Sequence, residues 1–317
     1  MPAELPSITP RIATVTLNPA LDLTIPLPAL TIGAVNRAGA AELRPAGKGV
    51  NVSAMLALLG EASLATGLLG AEDLPAFAAF LKPLGVFSAF EPVPGRCRIN
   101  VKLVETAAGQ VTDINPPGPT ASPAALEAML GRLVARPPGI AVVSGSLPPG
   151  LGPADLAAVV ERLRAAGSQV VLDSSGPAFA AALEARPALV KPNRDELSAL
   201  LGRPLPDRAA LVAAARELQG RGIPHVVVSA GGEGALFALP GAMLWAKPPA
   251  VPLTTTVGAG DAMVAGLAAA LARGLAPEAM ARLATGCAAA AVSRPHGGLP
   301  QPAEIARLAE AAHVESL

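Results

Sequence analysis

The strongest constraint on the fold is an alternation of short apolar runs with longer helical stretches, clearest in the C-terminal two-thirds of the chain. The runs at 140–144, 169–173, 188–191 and 225–229 have cores built of Val, Leu, Ile and Ala. Helical patterns follow at 154–166, 196–201, 209–219, 261–272, 278–293 and 303–311, with two short strands at 235–239 and 243–246. Strands that are apolar throughout and separated by helices predict a parallel sheet covered on both faces. The N-terminal part obeys the same rule, with strands at 12–17 and 62–69, a helix entered near Gly47 and another at 74–81. Two segments depart from it. Leu23–Leu43 and the stretch from Val86 to Ile114 read as short strands forming a small excursion from the main sheet. No internal repeat, low-complexity tail or long linker interrupts the 317 residues, which suffice for one large α/β domain with or without a small appendage.

Composition narrows the function classes. Lys+Arg and Asp+Glu balance at 24 each, and aromatic residues are 2% of the chain. That argues against a nucleic-acid footprint or a base-stacking surface. Alanine accounts for the high apolar fraction, and no uninterrupted apolar stretch is long enough for a membrane span. The opening M-P-A-E-L-P-S-I-T-P-R lacks the pattern of a signal peptide. Cys97 and Cys287 form neither a disulfide framework nor a metal set, so a reducing cytoplasm is the expected compartment. His225, His296 and His313 show no metal-ligand spacing and read as fillers, and Trp245 is expected to pack at a strand edge.

The candidate site residues fall where strands end and helices begin, the place where a doubly wound sheet keeps its ligands. In T-V-G-A-G-D, Gly258, Ala259 and Gly260 allow a tight turn into a helix, and Asp261 follows. Free amides and the dipole at such a start attract a phosphate. A carboxylate beside a phosphate pocket makes sense if it handles the proton of an attacking hydroxyl; taken alone, G-A-G-D reads equally well as an acid in a helix's first turn. The run A-G-K-G-V-N is a second glycine-bracketed helix start, placing Gly47, Lys48 and Asn51 near a ligand. It is not a Walker loop, and the absence of G-x-G-x-x-G after the first strand disfavours a nicotinamide oxidoreductase. Asp22, after N-P-A-L, is either a substrate contact or a turn residue. Arg96, Arg98, Asn100 and Lys102 share one strand face by period-two spacing. Such a stripe is either a phosphate clamp or, on its own evidence first, a solvated face.

The motifs N-P-A-L-D, V-N-R, A-G-K-G-V-N-V, R-I-N-V-K, S-G-S-L-P-P-G, K-P-N-x-x-E-L and T-V-G-A-G-D occur in this order between about Ile12 and Pro295. Together they resemble the ribokinase-like (PfkB-type) carbohydrate kinases, in the branch of 1-phosphofructokinases, tagatose-6-phosphate kinases and the minor 6-phosphofructokinase. The resemblance implies a three-layer αβα sandwich with a mostly parallel central sheet. It also implies a small β-sheet lid, within about 23–43 and 96–114, usually shared in a homodimer. It implies transfer of the ATP γ-phosphoryl group, with Mg2+, to a sugar-phosphate hydroxyl. By this resemblance Asp261 is the base and Gly258, Ala259 and Gly260 the anion hole. Asp22, Gly47, Asn51 and Ser144 are sugar contacts, with Lys48 beside them. Arg98, Asn100, Lys102 and Arg37 form the clamp on the phosphate already present. Lys191, Asn193 and Glu196 order the nucleotide and magnesium, Glu196 through water, and Ser229, Gly231 and Gly234 form the nucleotide turn. Thr255 stands where many ribokinase relatives carry Asp and this branch commonly has Ser or Asn, and Ala230 stands where Leu often follows Ser229.

The preferred expectation is a 1-phosphofructokinase. A sister kinase acting on tagatose 6-phosphate or fructose 6-phosphate is the next reading. A catalytically inactive sugar-phosphate sensor is the third, and the retention of Asp261 and its glycines argues against it.

Overall fold

The computed structural model describes residues 11–294 and 298–317. The chain runs β1 (Ile12–Thr16), β2 (Ala20–Leu27), β3 (Glu42–Ala46), α1 (Lys48–Leu58), β4 (Ser63–Gly70), α2 (Leu74–Leu81) and β5 (Phe87–Val93). It continues through β6 (Arg98–Glu105), β7 (Gln110–Ile114), α3 (Pro123–Ala135), β8 (Ile140–Ser144), α4 (Pro153–Ala165), β9 (Gln169–Asp173), α5 (Gly176–Leu183) and β10 (Leu189–Val190). The remainder is α6 (Arg194–Leu201), α7 (Arg208–Gly220), β11 (His225–Ser229), β12 (Ala235–Leu239), β13 (Ala242–Lys247), α8 (Ala259–Arg273), α9 (Pro277–Val292), α10 (Pro302–Ala311) and β14 (His313–Ser316). His296 lies outside the described residues.

Ten strands form one sheet in the order β14-β13-β12-β11-β10-β9-β8-β1-β4-β5. Pairing is parallel from β5 across to β11 and antiparallel from β11 to β14. Period-two alternation explains why these strands are apolar at every position. Ala141 and Val143 of β8, Val170 and Leu172 of β9, and Val226 and Val228 of β11 face a core shared with α3 to α7. The alternate residues Ile140, Val142, Val171 and Val227 face a second core with α1, α8, α9 and α10. A third cluster joins α2 to Phe90, Leu69 and Val50. The result is helices on both sides of a mostly parallel sheet. Among the described residues, no helix is long and apolar enough to cross a membrane.

The remaining strands form a separate sheet, β3-β2-β6-β7. The chain leaves the main sheet after β1 and returns at α1; it leaves again after β5 and returns at α3. The two excursions pair in parallel, with Asp22 beside Asn100, while β2–β3 and β6–β7 are antiparallel. The first excursion reaches further in both directions than the 23–43 expected. Strand β1 ends at Thr16 and β2 begins at Ala20, directly after Pro19, so Asp22 lies inside β2 rather than in a turn.

Other boundaries also moved. The helix expected from Asp261 begins at Ala259, because Gly258 adopts the left-handed conformation that caps it. The strand expected over 188–191 is only Leu189–Val190, cut short by Pro192. Helix α5 hides behind Gly176-Pro177, which reads as a turn although Pro is well suited to a first helical turn. Strand β14 covers β13, so Trp245 is not at the sheet edge. It is buried, donates its indole N–H to the Glu233 carbonyl, and stacks under Arg208 at 4.2 Å.

Candidate active site

Two helix starts and the smaller sheet border an open cleft. Its walls include Asp22 and Thr24 of β2, Glu42 and Arg44 of β3, Lys102 of β6, Asn51 of α1, Thr255, and Gly258 and Asp261 at the head of α8. Gly258 has φ of 82°, which favours glycine, and α8 has no side-chain cap. The first amides of α8 therefore have neither an intrahelical acceptor nor a capping oxygen. Gly258 and Asp261 bring this turn, with the positive end of the helix dipole, to the cleft wall. Helix α1 starts in the same manner behind Gly47, with φ of 122° and no side-chain cap.

Asp261 is 8% exposed, and its Oδ2 accepts a 2.8 Å hydrogen bond from the Asn51 side-chain amide. Burial pushes its carboxyl up to about 6, with the charge of Asp173 adding to the rise; Lys48, Asn51 and Lys191 act in the opposite direction. The group beneath it is an ion triad in which Asp173 and Lys191 are buried and Lys48 is partly exposed. Asp173, at the carboxyl end of β9, meets Lys48 Nζ through Oδ2 at 3.1 Å and Lys191 Nζ through Oδ1 at 3.3 Å. Burial raises the Asp173 carboxyl, but the two ammonium groups outweigh it and its pKa lies below the usual carboxylate range. Lys48 loses to burial and gains more from Asp173 and Asp261, ending above its ordinary value. A methyl placed on Gly260 would lie 3.4 Å from Lys191 Nζ, so this ammonium sits against the first turn of α8.

The basic stripe of β6 divides. Lys102 reaches the cleft but is already paired, with Asp113 at 3.0 Å and Asp22 at 3.7 Å. Asn100, the residue paired with Asp22 across β2 and β6, donates to Asp22 Oδ1 at 2.9 Å on the face turned to the cleft. Arg98 Nη2 donates to the Asn18 carbonyl at 3.2 Å, and its buried Nε has no partner. Burial lowers the Arg98 pKa, with Asp22 working against that. Asn18 in turn donates to the Ser146 hydroxyl at 3.2 Å, so Arg98, Asn18 and Ser146 stand together at the ends of β1 and β8. Arg96 leaves the stripe: it precedes the strand and pairs with the buried Asp73. Arg37 lies on the exposed segment between β2 and β3, outside the cleft lining.

At the far end, Ser144 terminates β8 with its buried Oγ unpaired. Asn193 caps α6: its Oδ1 accepts from the Glu196 backbone N–H at 2.7 Å, and its backbone N–H donates to Glu196 Oε2 at 2.8 Å. Glu196 is thus one half of a capping box, yet its charge still acts on Lys48. Asn193 pairs with Ser229 across β10 and β11, and Ser229 leads into the turn at Gly231 that closes with the Ala230 amide on the Gly234 carbonyl.

Sequence reasoning missed Asp173, Asn18, Ser146 and Arg44. The first was visible in principle, because an acid ending a buried strand in D-S-S-G-P obeys the same strand-end rule that pointed to Asp22.

A 1-phosphofructokinase from Rhodobacter capsulatus is 44% identical over 313 residues, covering 98% of this chain and 99% of the relative. The structure of phosphofructokinase-2 from Escherichia coli in complex with potassium matches with a TM-score of 0.90 at 30% identity, covering 96% of this chain and 99% of that one. Arabidopsis thaliana ribokinase complexed with ribose and ATP shares the fold, with a TM-score of 0.75 at 24% identity over 96% of this chain and 99% of that one. Residues 15–304 match the pfkB family of carbohydrate kinases. The chain belongs to that family, whose members are phosphotransferases acting on a hydroxyl group.

Proposed function

We propose that this protein is a 1-phosphofructokinase, converting fructose 1-phosphate and ATP to fructose 1,6-bisphosphate and ADP. One observation carries the reading: a buried, hydrogen-bonded Asp261 stands in the uncapped first turn of α8, across a cleft from the polar face of the smaller sheet. The identity to 1-phosphofructokinase relatives supports the choice of acceptor.

In this reading the sugar hydroxyl lies between Asp261 and the α8 turn, with Asp22, Gly47, Asn51 and Ser144 holding the ring. The hydroxyl oxygen attacks the γ-phosphorus, the bond from that phosphorus to the β–γ bridging oxygen breaks, and ADP leaves with the electron pair. The hydroxyl proton passes to Asp261. A carboxylate is a weak base toward an alcohol, so the transfer is late, after bond formation to phosphorus has begun. The amides of Gly258, Ala259 and Gly260 hold the moving phosphoryl group as a preorganised anion site. Arg98, Asn100 and Lys102 clamp the phosphate already on the sugar, and Arg37 would join them only from a second copy. Lys48 and Lys191 place positive charge beside the transferring group, and Ser229, Gly231 and Gly234 seat the nucleotide.

Magnesium would be held chiefly by nucleotide phosphates and water. Among the described residues no cluster of three or more His, Cys, Asp or Glu side chains forms a protein cage, which fits an ion that keeps much of its water. In this reading Glu196, with Asn193, would order that water. When bound, the ion neutralises β- and γ-phosphate charge.

We further propose a homodimer built through the smaller sheet acting as a lid. Strand alternation leaves Leu43, Ile99 and Ile114 on the face turned away from the cleft, at 50%, 37% and 54% exposure. A second copy of the same face is a self-complementary cover for it.

The test is ADP release with magnesium-ATP against fructose 1-phosphate, fructose 6-phosphate, tagatose 6-phosphate and ribose. The expected result is the highest kcat/KM for fructose 1-phosphate. Comparable kcat/KM for ribose would overturn the phosphate clamp, and no ADP with any acceptor would overturn the kinase reading.

A further inference from the structure

We propose that Asp173 is a positioning residue that keeps Lys48 and Lys191 off Asp261, so that one cleft can hold both a basic carboxylate and two ammonium groups. The inference rests on reading Asp261 as the proton acceptor.

The geometry carries it. Two lysines from different elements, the first residue of α1 and the residue after β10, converge on one carboxylate at the end of β9. Each takes a different oxygen, at 3.1 and 3.3 Å. Asp173 is 2% exposed, and so can neither turn to water nor be replaced by it. Lys191 Nζ lies against Gly260, adjacent in sequence to Asp261. An ammonium this close to a second carboxylate would pair with it unless already held. A direct ion pair would stabilise the charged form of Asp261 and weaken it as a base. It would also remove the cations from the transferring phosphoryl group. Asp173 prevents both by being the nearer partner. Ion pairs on a buried carboxylate give little net stability over a packed apolar core, so stability alone is a poor reason for this triad.

The charged groups facing Asp261 are few. Lys48 comes from α1 with the neutral Asn51, Asp173 from the end of β9, and Lys191 from the end of β10. Asp22, Glu42, Arg44 and Lys102 line the same cleft on the smaller sheet. Glu196 acts on Lys48 from α6. Asp173 and Lys48 bear on Asp261 with opposite sign, which supplies the test.

Full-length protein would be assayed for kcat against pH at saturating substrates. Asp173→Asn should move the acidic limb to lower pH by about one unit or more and reduce kcat. The sugar-phosphate KM should change less than threefold, and Asp173→Glu should recover part of the limb. Lys48→Met should move the limb the other way, to higher pH. A limb that stays at the wild-type position in folded Asp173→Asn overturns the proposal, since a merely structural residue would change stability and leave the limb alone. Should Asp173→Asn fail to fold, Asp173→Ser decides by the same limb: movement to lower pH supports the proposal and no movement overturns it. Asp261→Asn separates the two levels. Wild-type turnover in that variant removes Asp261 as the acceptor, whereas an inactive Asp261→Asn with unmoved limbs elsewhere defeats only the role of Asp173.

Discussion

Replacing Asp261 by Asn should make the protein more stable while stopping its reaction. In the folded protein, burial and the neighbouring Asp173 raise the Asp261 carboxyl from 3.8 to about 6. That is about two units at roughly 1.4 kcal/mol each, or about 3 kcal/mol held against the charged carboxylate in the native state. The opposing pulls of Lys48, Lys191 and Asn51 are already included in the net shift. An asparagine at this position fits the same space, can accept from Asn51 through its own amide oxygen, and carries no charge to desolvate. The effect has a fixed direction in pH. Well below the unfolded value of 3.8 the carboxyl is protonated in both folded and unfolded chains, so wild type and variant should be equally stable there. As pH rises through the unfolded and then the folded pKa, the wild type loses stability that the variant keeps. The gap should be complete above about pH 7. Urea unfolding of both proteins at pH 4 and pH 8, with unchanged m-values, measures it. Equal stability at pH 8, or a gap of the same size at pH 4, would refute the claim that Asp261 is held in a strained electrostatic state.

Arg98→Ala should raise the sugar-phosphate KM roughly thirty-fold, matching the loss of about 2 kcal/mol from a charged hydrogen bond, with kcat nearly unchanged; an unaltered KM removes Arg98 from the clamp. Gly67→Ala places a methyl carbon 1.9 Å from the Thr16 carbonyl oxygen at a φ of 135°. It should cost about 3 kcal/mol in a denaturation experiment, and an unchanged midpoint would contradict the close approach of β4 to β1. Ile114→Asp puts a charge on the outward face of the smaller sheet and should yield monomers in sedimentation; a dimer of wild-type stability would place the interface elsewhere.

Particular residues show what could be read from the sequence. The strands Ile140–Ser144, Gln169–Asp173 and His225–Ser229 were legible because burial on both faces leaves an uninterrupted apolar signature. The glycine-bracketed starts of α1 and α8 were legible because backbone conformation there demands a residue without a side chain. Strand β14 was not, since four residues acquire strand character from pairing with β13 rather than from their own pattern. The meaning of Asp173 was not either. It arises from the register of β9 with its neighbours, which brings together lysines 125 and 18 positions away in the chain. Asp22 and Arg96 were misplaced for a related reason. Whether a polar residue lies in a turn or a strand depends on where the chain leaves the main sheet, and Asp73 settles that for Arg96 by capturing it.

The most direct test of the account is a rapid-quench single turnover of Asp261→Asn with magnesium-ATP and fructose 1-phosphate, alongside the sugar-phosphate dissociation constant. The account predicts a rate lower by about a thousand-fold with binding changed by no more than a few-fold. A rate within ten-fold of wild type would contradict it.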